Sequence, residues 1–307
     1  MKIKAGTRGS ELALWQTNWV CSRLKELHPG IEIEIKIIKT QGDKILDISL
    51  SKIGDKGLFT KAIEDALLNG EIDFAVHSLK DLPTSLPEGL CIAAVPEREA
   101  RQDAFISNKY DSLKDLPAGA KVATGSLRRK CQLLHMNPGL EIIDIRGNVN
   151  TRLKKFEENG YDGLILAYAG LKRLGLAHYV KEVIGEDIML PAVSQGALAI
   201  EARTEDKTTL EVFRPLNHDD TRMCVEAERA FLHALEGGCQ IPIGVFTNAE
   251  NGMINIKGMV GSIDGSEVIK AELTAGLNEP VKAGEDLGKI ILEKGGKKIL
   301  DDIRKGI

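Results

Sequence analysis

Cys239 is the residue whose type and setting most directly suggest chemistry. It follows Gly237 and Gly238, which close a helix predicted over 220–235, because glycine takes positive φ without a Cβ clash. Pro242 stiffens the chain just beyond it. Small neighbours leave room on the sulfur side, which favours a thiol held out for reaction. A half-buried loop cysteine with no role is the alternative, and this stretch alone leaves both open.

The other cysteines have apolar settings in the predicted elements. Cys21 falls in a helix, Cys91 in an apolar strand, Cys131 in a helix after Ser126, and Cys224 on the apolar face of the 220–235 helix. The five cysteines are odd in number and form no Cys-x-x-Cys pair, so neither a disulfide framework nor a zinc site is indicated. The six histidines lack metal-ligand spacing, and we expect no metal.

An acid candidate comes from a segment that occurs twice. Ser-Leu-Lys-Asp-Leu-Pro stands at 78–83 and again at 112–117. The first copy follows a predicted strand at 73–77 and so lies at the carboxyl end of that strand, where ligands bind in open α/β sheets. The second copy precedes a predicted strand at 121–124, at the opposite pole. We therefore expect Asp81 to be the functional acid and Asp115 to be a surface turn residue.

Arginines are concentrated in the middle of a chain whose net charge is -4. They are Arg128, Arg129, Arg146, Arg152 and Arg173. A mildly acidic protein with clustered cations favours an anionic small molecule in a pocket over nucleic acid, which normally needs a broad basic face. A solvated helix face is the alternative for Arg152 and the lysines beside it. That alternative suits Arg146 less well, because Arg146 directly follows the apolar run 142–145.

Lys52 and Lys56 lie in a glycine-bearing loop that could close over a bound anion. The segment lacks the spacing and the Lys-Ser/Thr ending of a phosphate-binding loop, so it is not predicted to be one.

These residues have to be positioned by an alternating strand and helix pattern. Strands at 2–7, 31–38 and 73–77 alternate with helices at 11–27 and 57–69, which is typical of a parallel sheet covered by helices. The middle of the chain repeats the pattern: 137–142 resembles 28–33, and 159–164 resembles 69–74. We therefore expect two copies of one βαβαβ unit. A turn in each copy, at Thr7-Arg8-Gly9-Ser10 and Thr124-Gly125-Ser126, is suited to a carboxylate or a phosphate.

The predicted joins divide the 307 residues into three domains. Domain 1 is 1–97 with 197–215, domain 2 is 102–192, and domain 3 is 219–307. A strand at 197–202 is expected to return to the first sheet, so that the chain crosses twice and forms a hinge. The fold class is α/β, with two similar domains like those of periplasmic binding proteins around an active-site cleft. Hairpin signals at Asn251-Gly252 and Asp264-Gly265 add a small α+β domain.

The amino-terminal residues predict a strand and a turn, with no apolar core of signal-peptide length. No segment approaches the length of a membrane span. We expect a cytoplasmic protein without nucleic-acid or membrane partners, and nothing in the sequence requires more than a monomer.

Taken together, these pieces resemble the porphobilinogen deaminase (hydroxymethylbilane synthase) family over essentially the whole chain. Eight motifs stand in the family's order, which is far more specific than any one of them. They are Thr7-Arg8-x-Ser10-x-Leu12-Ala13-Leu14-Trp15, Lys56-Gly57-Leu58-Phe59, His77-Ser78-Leu79-Lys80-Asp81-Leu82-Pro83, Gly125-Ser126-Leu127-Arg128-Arg129, Arg146-Gly147-Asn148-Val149-x-Thr151-Arg152, Ala169-Gly170-Leu171-Lys172-Arg173-Leu174, Gln195-Gly196-Ala197-Leu198 and Gly238-Cys239-x-x-Pro242. Glu11 and Tyr168 depart from the family pattern, without consequence for the chemistry.

The resemblance implies a three-domain transferase of tetrapyrrole and heme biosynthesis. Its cofactor is a dipyrromethane, carried through a thioether bond on the cysteine that matches Cys239. Four porphobilinogen molecules are joined head to tail with loss of ammonia, and hydroxymethylbilane is released by hydrolysis. Asp81 would stabilise positive charge on the pyrroles and shuttle protons.

The resemblance also implies a set of side chains around the cofactor and substrate. The arginines would pair with the acetate and propionate arms, and hydroxyl groups and backbone amides would complete the carboxylate shell. The expected binding residues are Arg8, Ser10, Lys52, Lys56, His77, Ser78, Lys80, Thr124, Gly125, Ser126, Arg128, Arg129, Arg146, Asn148, Arg152, Arg173 and Gln195.

The competing hypothesis is a two-domain solute-binding protein without catalysis. The repeat and the hinge would suffice for it, but it leaves the third domain and Cys239 unexplained.

Overall fold

The computed structural model describes residues 1–44, 57–238 and 240–306. Lys52, Lys56 and Cys239 lie outside the described residues, so what the sequence predicts of them stays a prediction. By backbone contacts the described chain divides into two compact units. The first unit holds 1–44, 57–99 and 196–222, and the second holds 100–195, 223–238 and 240–306.

The helices and strands follow one another in the predicted rhythm. The first are β1 (Lys2–Thr7), α1 (Glu11–Leu27), β2 (Glu32–Ile37), α2 (Gln41–Lys44), α3 (Lys61–Leu68), β3 (Phe74–Ser78) and β4 (Leu90–Ala94). The middle segment contains β5 (Asp103–Ile106), β6 (Lys121–Ala123), α4 (Leu127–Met136), β7 (Glu141–Ile143), α5 (Val149–Asn159), β8 (Gly163–Ala167), α6 (Tyr168–Arg173) and β9 (Val180–Val183). The last are β10 (Leu198–Arg203), α7 (Lys207–Phe213), α8 (Asp219–Ala234), β11 (Ile243–Glu250), β12 (Met253–Gly261), β13 (Val268–Gly276), α9 (Pro280–Ile291) and α10 (Lys297–Gly306).

The first sheet has the strand order β2-β1-β3-β10-β4. β1, β2 and β3 run parallel, and β10 lies antiparallel between β3 and β4. The prediction that the strand near 197–202 returns to the first sheet is confirmed. The parallel arrangement predicted from the first three strands is confirmed. No direction was predicted for β10, because a strand buried on both faces has the same apolar pattern in either direction.

The apolar faces of the first sheet explain why its helices lie where they do. Phe74 and Ile200 pack with Val20 and Leu24 of α1 on one face of the sheet. Ala75 packs with Ile63 and other apolar residues of α3. The predicted helix at 57–69 is shorter than expected, because Gly57 has a φ of 80° and the chain enters α3 through a turn.

The second sheet has the strand order β7-β6-β8-β5-β9. β6, β7 and β8 run parallel, and β5 lies antiparallel between β8 and β9. This is the order of the first sheet with β5 in the position of β10, so the predicted repeat is confirmed. In each copy a serine begins the first helix: Ser10 caps α1 and Ser126 caps α4.

The third sheet is the antiparallel meander β11-β12-β13. Asn251 and Gly252 both have positive φ, 52° and 72°, and form the predicted tight turn between β11 and β12. Its buried residues Ile254 and Ile256 form one core with Phe231 of α8 and Leu287 of α9. The third sheet belongs to the same compact unit as the second sheet. Sheets thus lie in all three predicted domain ranges, whereas the last two ranges share one unit.

Candidate active site

Asp81 ends a single 3-10 turn, Leu79–Asp81, that directly follows β3. Two features hold the backbone of this turn in place. Leu79 is fully buried, and its N–H donates to the carbonyl of Ala197 at 3.0 Å. Leu82 is buried just after it. Asp81 itself is exposed. The sequence therefore anchors the turn on both sides of the carboxylate and leaves the carboxylate accessible.

A pocket in the first unit brings Asp81 together with several other predicted residues. It lies where β1 and β3 end and α1 begins, the place at which open α/β sheets bind ligands. Its lining consists of Arg8, Ser10, Leu12, Ala13, Gln16, Phe59, Thr60, Ile63, Val76, His77, Ser78 and Asp81. Arg8, Ser10, His77, Ser78 and Asp81 were predicted; Lys80 lies in the same turn as Asp81 and is half-buried.

Two contacts hold side chains of the pocket in place. The guanidinium carbon of Arg8 lies 4.2 Å from the centre of the Phe59 ring, within cation–π distance. The side-chain amide of Gln16 donates to the hydroxyl of Ser78 at 2.9 Å. Sequence reasoning missed Gln16. The signal was its position one turn after Leu12 and Ala13, on the face of α1 that follows the capping serine.

His77 lies on the wall of the pocket and is almost buried. Its Nε2 is 3.0 Å from Oε2 of Glu201 on β10. The Glu201 side chain is completely buried. The pocket thus combines a carboxylate, a guanidinium, an imidazole and three hydroxyl groups. Such a set suits a ligand that carries both carboxylates and N–H donors.

The second copy of the repeated segment lies where the sequence predicted it. Asp115 ends the turn Leu113–Asp115, which precedes β6. Its Oδ2 accepts hydrogen bonds from the backbone N–H and the hydroxyl of Ser112, at 3.0 and 2.9 Å. Asp115 is therefore a capping residue of an exposed turn.

Arg128 and Arg129 are buried, and both bind the carboxylate of Asp103. Nη1 of Arg128 donates to Oδ2 at 2.7 Å, whereas Nε and Nη2 of Arg129 donate to Oδ1 at 3.0 and 2.7 Å. Burial alone raises the pKa of Asp103, but the two guanidinium groups more than offset it and hold the pKa well below its usual range. The sequence predicted that these arginines bind carboxylates; in this structure one such carboxylate is the protein's own.

Gln195 belongs to the same network. Its side-chain amide donates to Oδ1 of Asp103 and to the carbonyl of Arg101, both at 2.8 Å. Asp103 was missed because it follows the predicted join between domains 1 and 2, where charged residues are frequent and none stands out. The available signal was physical: two adjacent arginines on the buried side of a helix require an internal anion.

The remaining predicted residues of the second copy follow the parallel strands β6, β7 and β8. Asn148 caps α5 by accepting from the backbone N–H of Thr151 at 2.8 Å, and Nε of Arg152 donates to the carbonyl of Gly147 at 2.8 Å. Thr124, Gly125 and Ser126 form the turn into α4. Arg146 and Arg173 follow β7 and β8 and are half-buried. Because neighbouring parallel strands end at one edge of a sheet, these side chains belong to one edge.

Two of the described cysteines, Cys21 and Cys131, are poor nucleophiles. Burial raises the pKa of Cys21 to about 11 and that of Cys131 to about 12, so neither forms a thiolate at neutral pH. Cys224 is buried, and Cys91 is half-buried on β4. Cys239 lies outside the described residues. Before it, Glu236 has a φ of 48°, and a Cβ placed on Gly238 would have no neighbour within 4 Å.

The described residues lack both a metal site and a membrane-spanning helix. No group of three or more histidine, cysteine or acidic side chains is placed to hold a metal ion. No helix among them combines the length and the apolar character that a membrane span needs.

Two family models cover most of this chain. Residues 3–211 match the one described as "Porphobilinogen deaminase, dipyromethane cofactor binding domain", and residues 222–294 match "Porphobilinogen deaminase, C-terminal domain". This chain belongs to the porphobilinogen deaminase family. The resemblance drawn from the eight motifs is confirmed, and the alternative of a solute-binding protein without catalysis is set aside.

Relatives named porphobilinogen deaminase match along their full length. That of Carboxydothermus hydrogenoformans is 51% identical over 304 residues, which cover 99% of this chain and 98% of the relative. That of Chlorobaculum parvum is 52% identical over 307 residues, with 99% and 98% covered. Among solved structures, the methionine binding protein MetQ covers 70% of this chain and 89% of its own, at 15% identity and a TM-score of 0.46. That likeness is too weak to add to the assignment.

Proposed function

We propose that this chain joins four porphobilinogen molecules head to tail, with release of ammonia, into hydroxymethylbilane. The proposal rests on the match of residues 3–211 and 222–294 to the two porphobilinogen deaminase domains. One structural observation carries the chemistry: Asp81 stands on an anchored turn in a pocket that also presents Arg8, His77 and Ser78.

The donor set of this pocket fits a dipyrromethane, which has two pyrrole N–H groups and four carboxylate arms. Asp81 would accept from the N–H groups, and Arg8, Ser10 and Ser78 would bind carboxylates. When bound, the dipyrromethane supplies the pyrrole carbon to which the first substrate unit is joined. Cys239 would hold it by a thioether bond, since burial leaves the thiols of Cys21 and Cys131 unreactive.

Asp81 would act by stabilising positive charge on the pyrrole rings and by accepting the proton released in each addition. A carboxylate about 4 Å from a unit positive charge contributes roughly 4 kcal/mol at an effective dielectric constant near 20, or about three orders of magnitude in rate. An exposed ion pair contributes only about 0.2 to 1 kcal/mol. Because Asp81 is exposed, the larger contribution requires the bound substrate to exclude water from the carboxylate.

The arginines would share the carboxylate arms of the growing chain. Arg8 lies in the Asp81 pocket, whereas Arg146, Arg152 and Arg173 follow strand ends of the second sheet. Arg128 and Arg129 carry two positive charges against the single negative charge of Asp103. The net positive charge of that trio would attract a substrate carboxylate. Lys52, Lys56, Lys80, Thr124, Gly125, Ser126, Asn148 and Gln195 complete the proposed binding set.

The intact mass of the denatured protein tests the covalent attachment. We expect the unaltered protein to exceed the mass of its chain by two pyrrole units, and Cys239→Ser to show the bare mass and no turnover. Cys91→Ser is the matched control, because Cys91 is the half-buried member of the other four, and it should keep both the added mass and the activity. Added mass on the Cys239→Ser protein would remove Cys239 from its role.

Porphobilinogen consumption with release of ammonia tests the reaction itself. A protein that carries the added mass but consumes no porphobilinogen would contradict the proposed activity. A monomeric state and a cytoplasmic location are also part of the proposal. Light scattering tests the first, with the mass of one chain expected, and fractionation of the producing cells tests the second.

A further inference from the structure

A buried cluster of three titratable side chains lies behind the Asp81 pocket. His77 is on β3, Glu201 on β10 and Glu64 on α3. Nε2 of His77 lies 3.0 Å from Oε2 of Glu201, and the two side chains are 5% and 0% exposed. Glu64 is 6% exposed. Of the three, His77 lines the pocket.

The register of the sheet explains why they meet. β10 is antiparallel to β3, with Ala199 opposite His77 and Glu201 opposite Ala75. Side chains alternate between the faces of a sheet, so all four share one face, with His77 and Glu201 as diagonal neighbours. The same face carries Ile63 and other apolar residues of α3, and this covers the cluster from solvent.

The charges of the cluster sum to zero in three arrangements: all three groups neutral, or a protonated His77 with either Glu201 or Glu64 ionised. A buried net charge is costly, so two carboxyl groups and one imidazole are most stable when their charges sum to zero. Burial raises the pKa of Glu64, and repulsion from Glu201 adds to the rise, while a hydrogen bond from Thr60 and the attraction of His77 oppose it. With a proton on Glu64, a negative Glu201 facing a positive His77 is the neutral arrangement in which the 3.0 Å contact becomes an attraction.

Other charged groups nearby do not replace His77 in this balance. Arg203, on the same face of β10, pairs with Asp73 and Asp206 at 3.1 and 3.0 Å. Lys61 and Asp65 of α3 are exposed. On this face β4 contributes the apolar Ile92 and Leu90, opposite Glu201 and Arg203, and Arg8 and Asp81 line the pocket with His77. Among the residues that the structure describes, His77 is thus the basic side chain placed within ion-pair distance of Glu201.

We propose that Glu201 is a positioning residue for the proposed reaction: it holds the imidazole of His77 on the pocket wall as a cation that donates an N–H to a carboxylate arm of the pyrrole substrate. Glu64 keeps the cluster neutral and takes no part in binding. This role rests on the proposed function, because the substrate carboxylates come from it. It gives a reason for a fully buried acid on an interior strand, where an apolar residue would cost less.

Nitrogen-15 NMR of histidine-labelled holoprotein tests the charge of His77 directly. His77→Gln identifies its signals. At neutral pH we expect the unaltered protein to show two protonated ring nitrogens, Glu201→Gln to show the neutral ring, and Glu64→Gln to keep the protonated ring, since glutamine imitates a protonated glutamate. A neutral ring in the unaltered protein, or an unchanged ring in Glu201→Gln, would overturn the proposal.

Kinetics with porphobilinogen test the role. Glu201→Gln and His77→Gln should each raise KM about tenfold, the loss of one charge-assisted hydrogen bond, with a smaller change in kcat. The double variant should be no worse than either single variant, because Glu201 acts through His77. Glu64→Gln should stay within about twofold of the unaltered protein.

Three further results of these experiments would also overturn the role proposed for Glu201. An unchanged KM in a folded His77→Gln protein overturns it even if Glu201→Gln fails to fold. A double variant with the product of two separate losses assigns Glu201 a purely structural role. If the unaltered protein consumes no porphobilinogen, the proposed function fails and takes the role of Glu201 with it, while the spectrum still decides whether the ion pair exists.

Discussion

The two α/β sheets have the same strand arrangement, but the arginines next to them differ in their surroundings: one lines a pocket, and two are buried. In the first, Arg8 precedes the capping Ser10, lies against Phe59 and lines an open pocket. In the second, Arg128 and Arg129 follow the capping Ser126 and are buried on Asp103. The arginines stand at different positions of the repeat: two and three residues after the capping serine, the first copy has Leu12 and Ala13. The fourth strand of the sheet differs as well. Asp103 begins β5 opposite the last residue of β8, and Leu198 begins β10 opposite the last residue of β3.

Arg128 and Arg129 are neutralised by a residue of another strand, which precedes Arg128 by 25 residues. The strand, turn and helix that carry the arginines are similar in both copies. In the second copy the antiparallel fourth strand supplies the carboxylate that neutralises them, Asp103, whereas the equivalent residue of the first copy is Leu198. The first copy therefore presents its arginine to a pocket, and the second holds two buried arginines on one aspartate.

The largest expected effect separates the two copies of the Ser-Leu-Lys-Asp-Leu-Pro segment. Asp81→Ala should leave the added cofactor mass in place and lower turnover by about three orders of magnitude, because charge on the pyrrole rings loses its partner. Asp115→Ala is the matched control and should retain turnover, with a loss of about 0.5 to 1 kcal/mol in stability from the lost cap. Normal turnover of the Asp81 variant would refute its assignment as the acid.

The next effect probes the buried wall of the second copy. Asp103→Asn should lower the free energy of unfolding by about 3 kcal/mol or more, because it leaves two buried guanidinium groups without an anion. Chemical denaturation measures it. Leu198→Ala, at the equivalent position of the first copy, offers a comparison in which only packing is lost. Equal unfolding profiles of Asp103→Asn and the unaltered protein would show that the trio is not charged as described.

The same network predicts a pH dependence. Because the pKa of Asp103 is lowered on folding, its contribution to stability is fully present above the unfolded-state value of about 3.9 and is lost as the pH falls below that value. The unaltered protein should therefore lose more stability than Asp103→Asn when denaturation is repeated in increasingly acidic buffer. Parallel losses in both proteins would count against the lowered pKa.

The smallest effect concerns the aromatic support of Arg8. Phe59→Leu should raise KM for porphobilinogen two- to fivefold, roughly the 0.5 to 1 kcal/mol of a partly exposed cation–π contact. Phe246→Leu provides the control, since Arg101 lies 4.6 Å from the Phe246 ring in the second unit, and its KM should not change. A shift of equal size in both variants would show that the ring contact at Arg8 has no special part in binding.

Much of the fold follows from local patterns. The repeat, the returning strand and the Asn251-Gly252 hairpin were predicted because alternating elements and turn residues leave signals within a few residues of each other. The direction of β10 was not predictable, because its residues are buried on both faces. Asp81 was distinguished from Asp115 by strand order alone, without any contact information.

The charged contacts behind the site residues could not be predicted from the sequence. Asp103 and Arg128 are 25 residues apart, and His77 and Glu201 meet only because β10 is inserted beside β3. No periodicity within either segment indicates such a pair. Phe59 belongs to the Lys56-Gly57-Leu58-Phe59 motif. Its position against Arg8, however, depends on how the turn before α3 packs against the end of β1.

The insertion of β10 has a consequence for how the protein is made. A ribosome releases β3 and β4 long before it reaches Leu198, and it must first synthesise the entire second sheet. Until then the nascent first sheet has a gap between two strand edges whose N–H and C=O groups await a partner, a feature that invites pairing with other chains. Nascent chains are therefore most prone to aggregate during that interval, which is also when binding to a chaperone would protect them most.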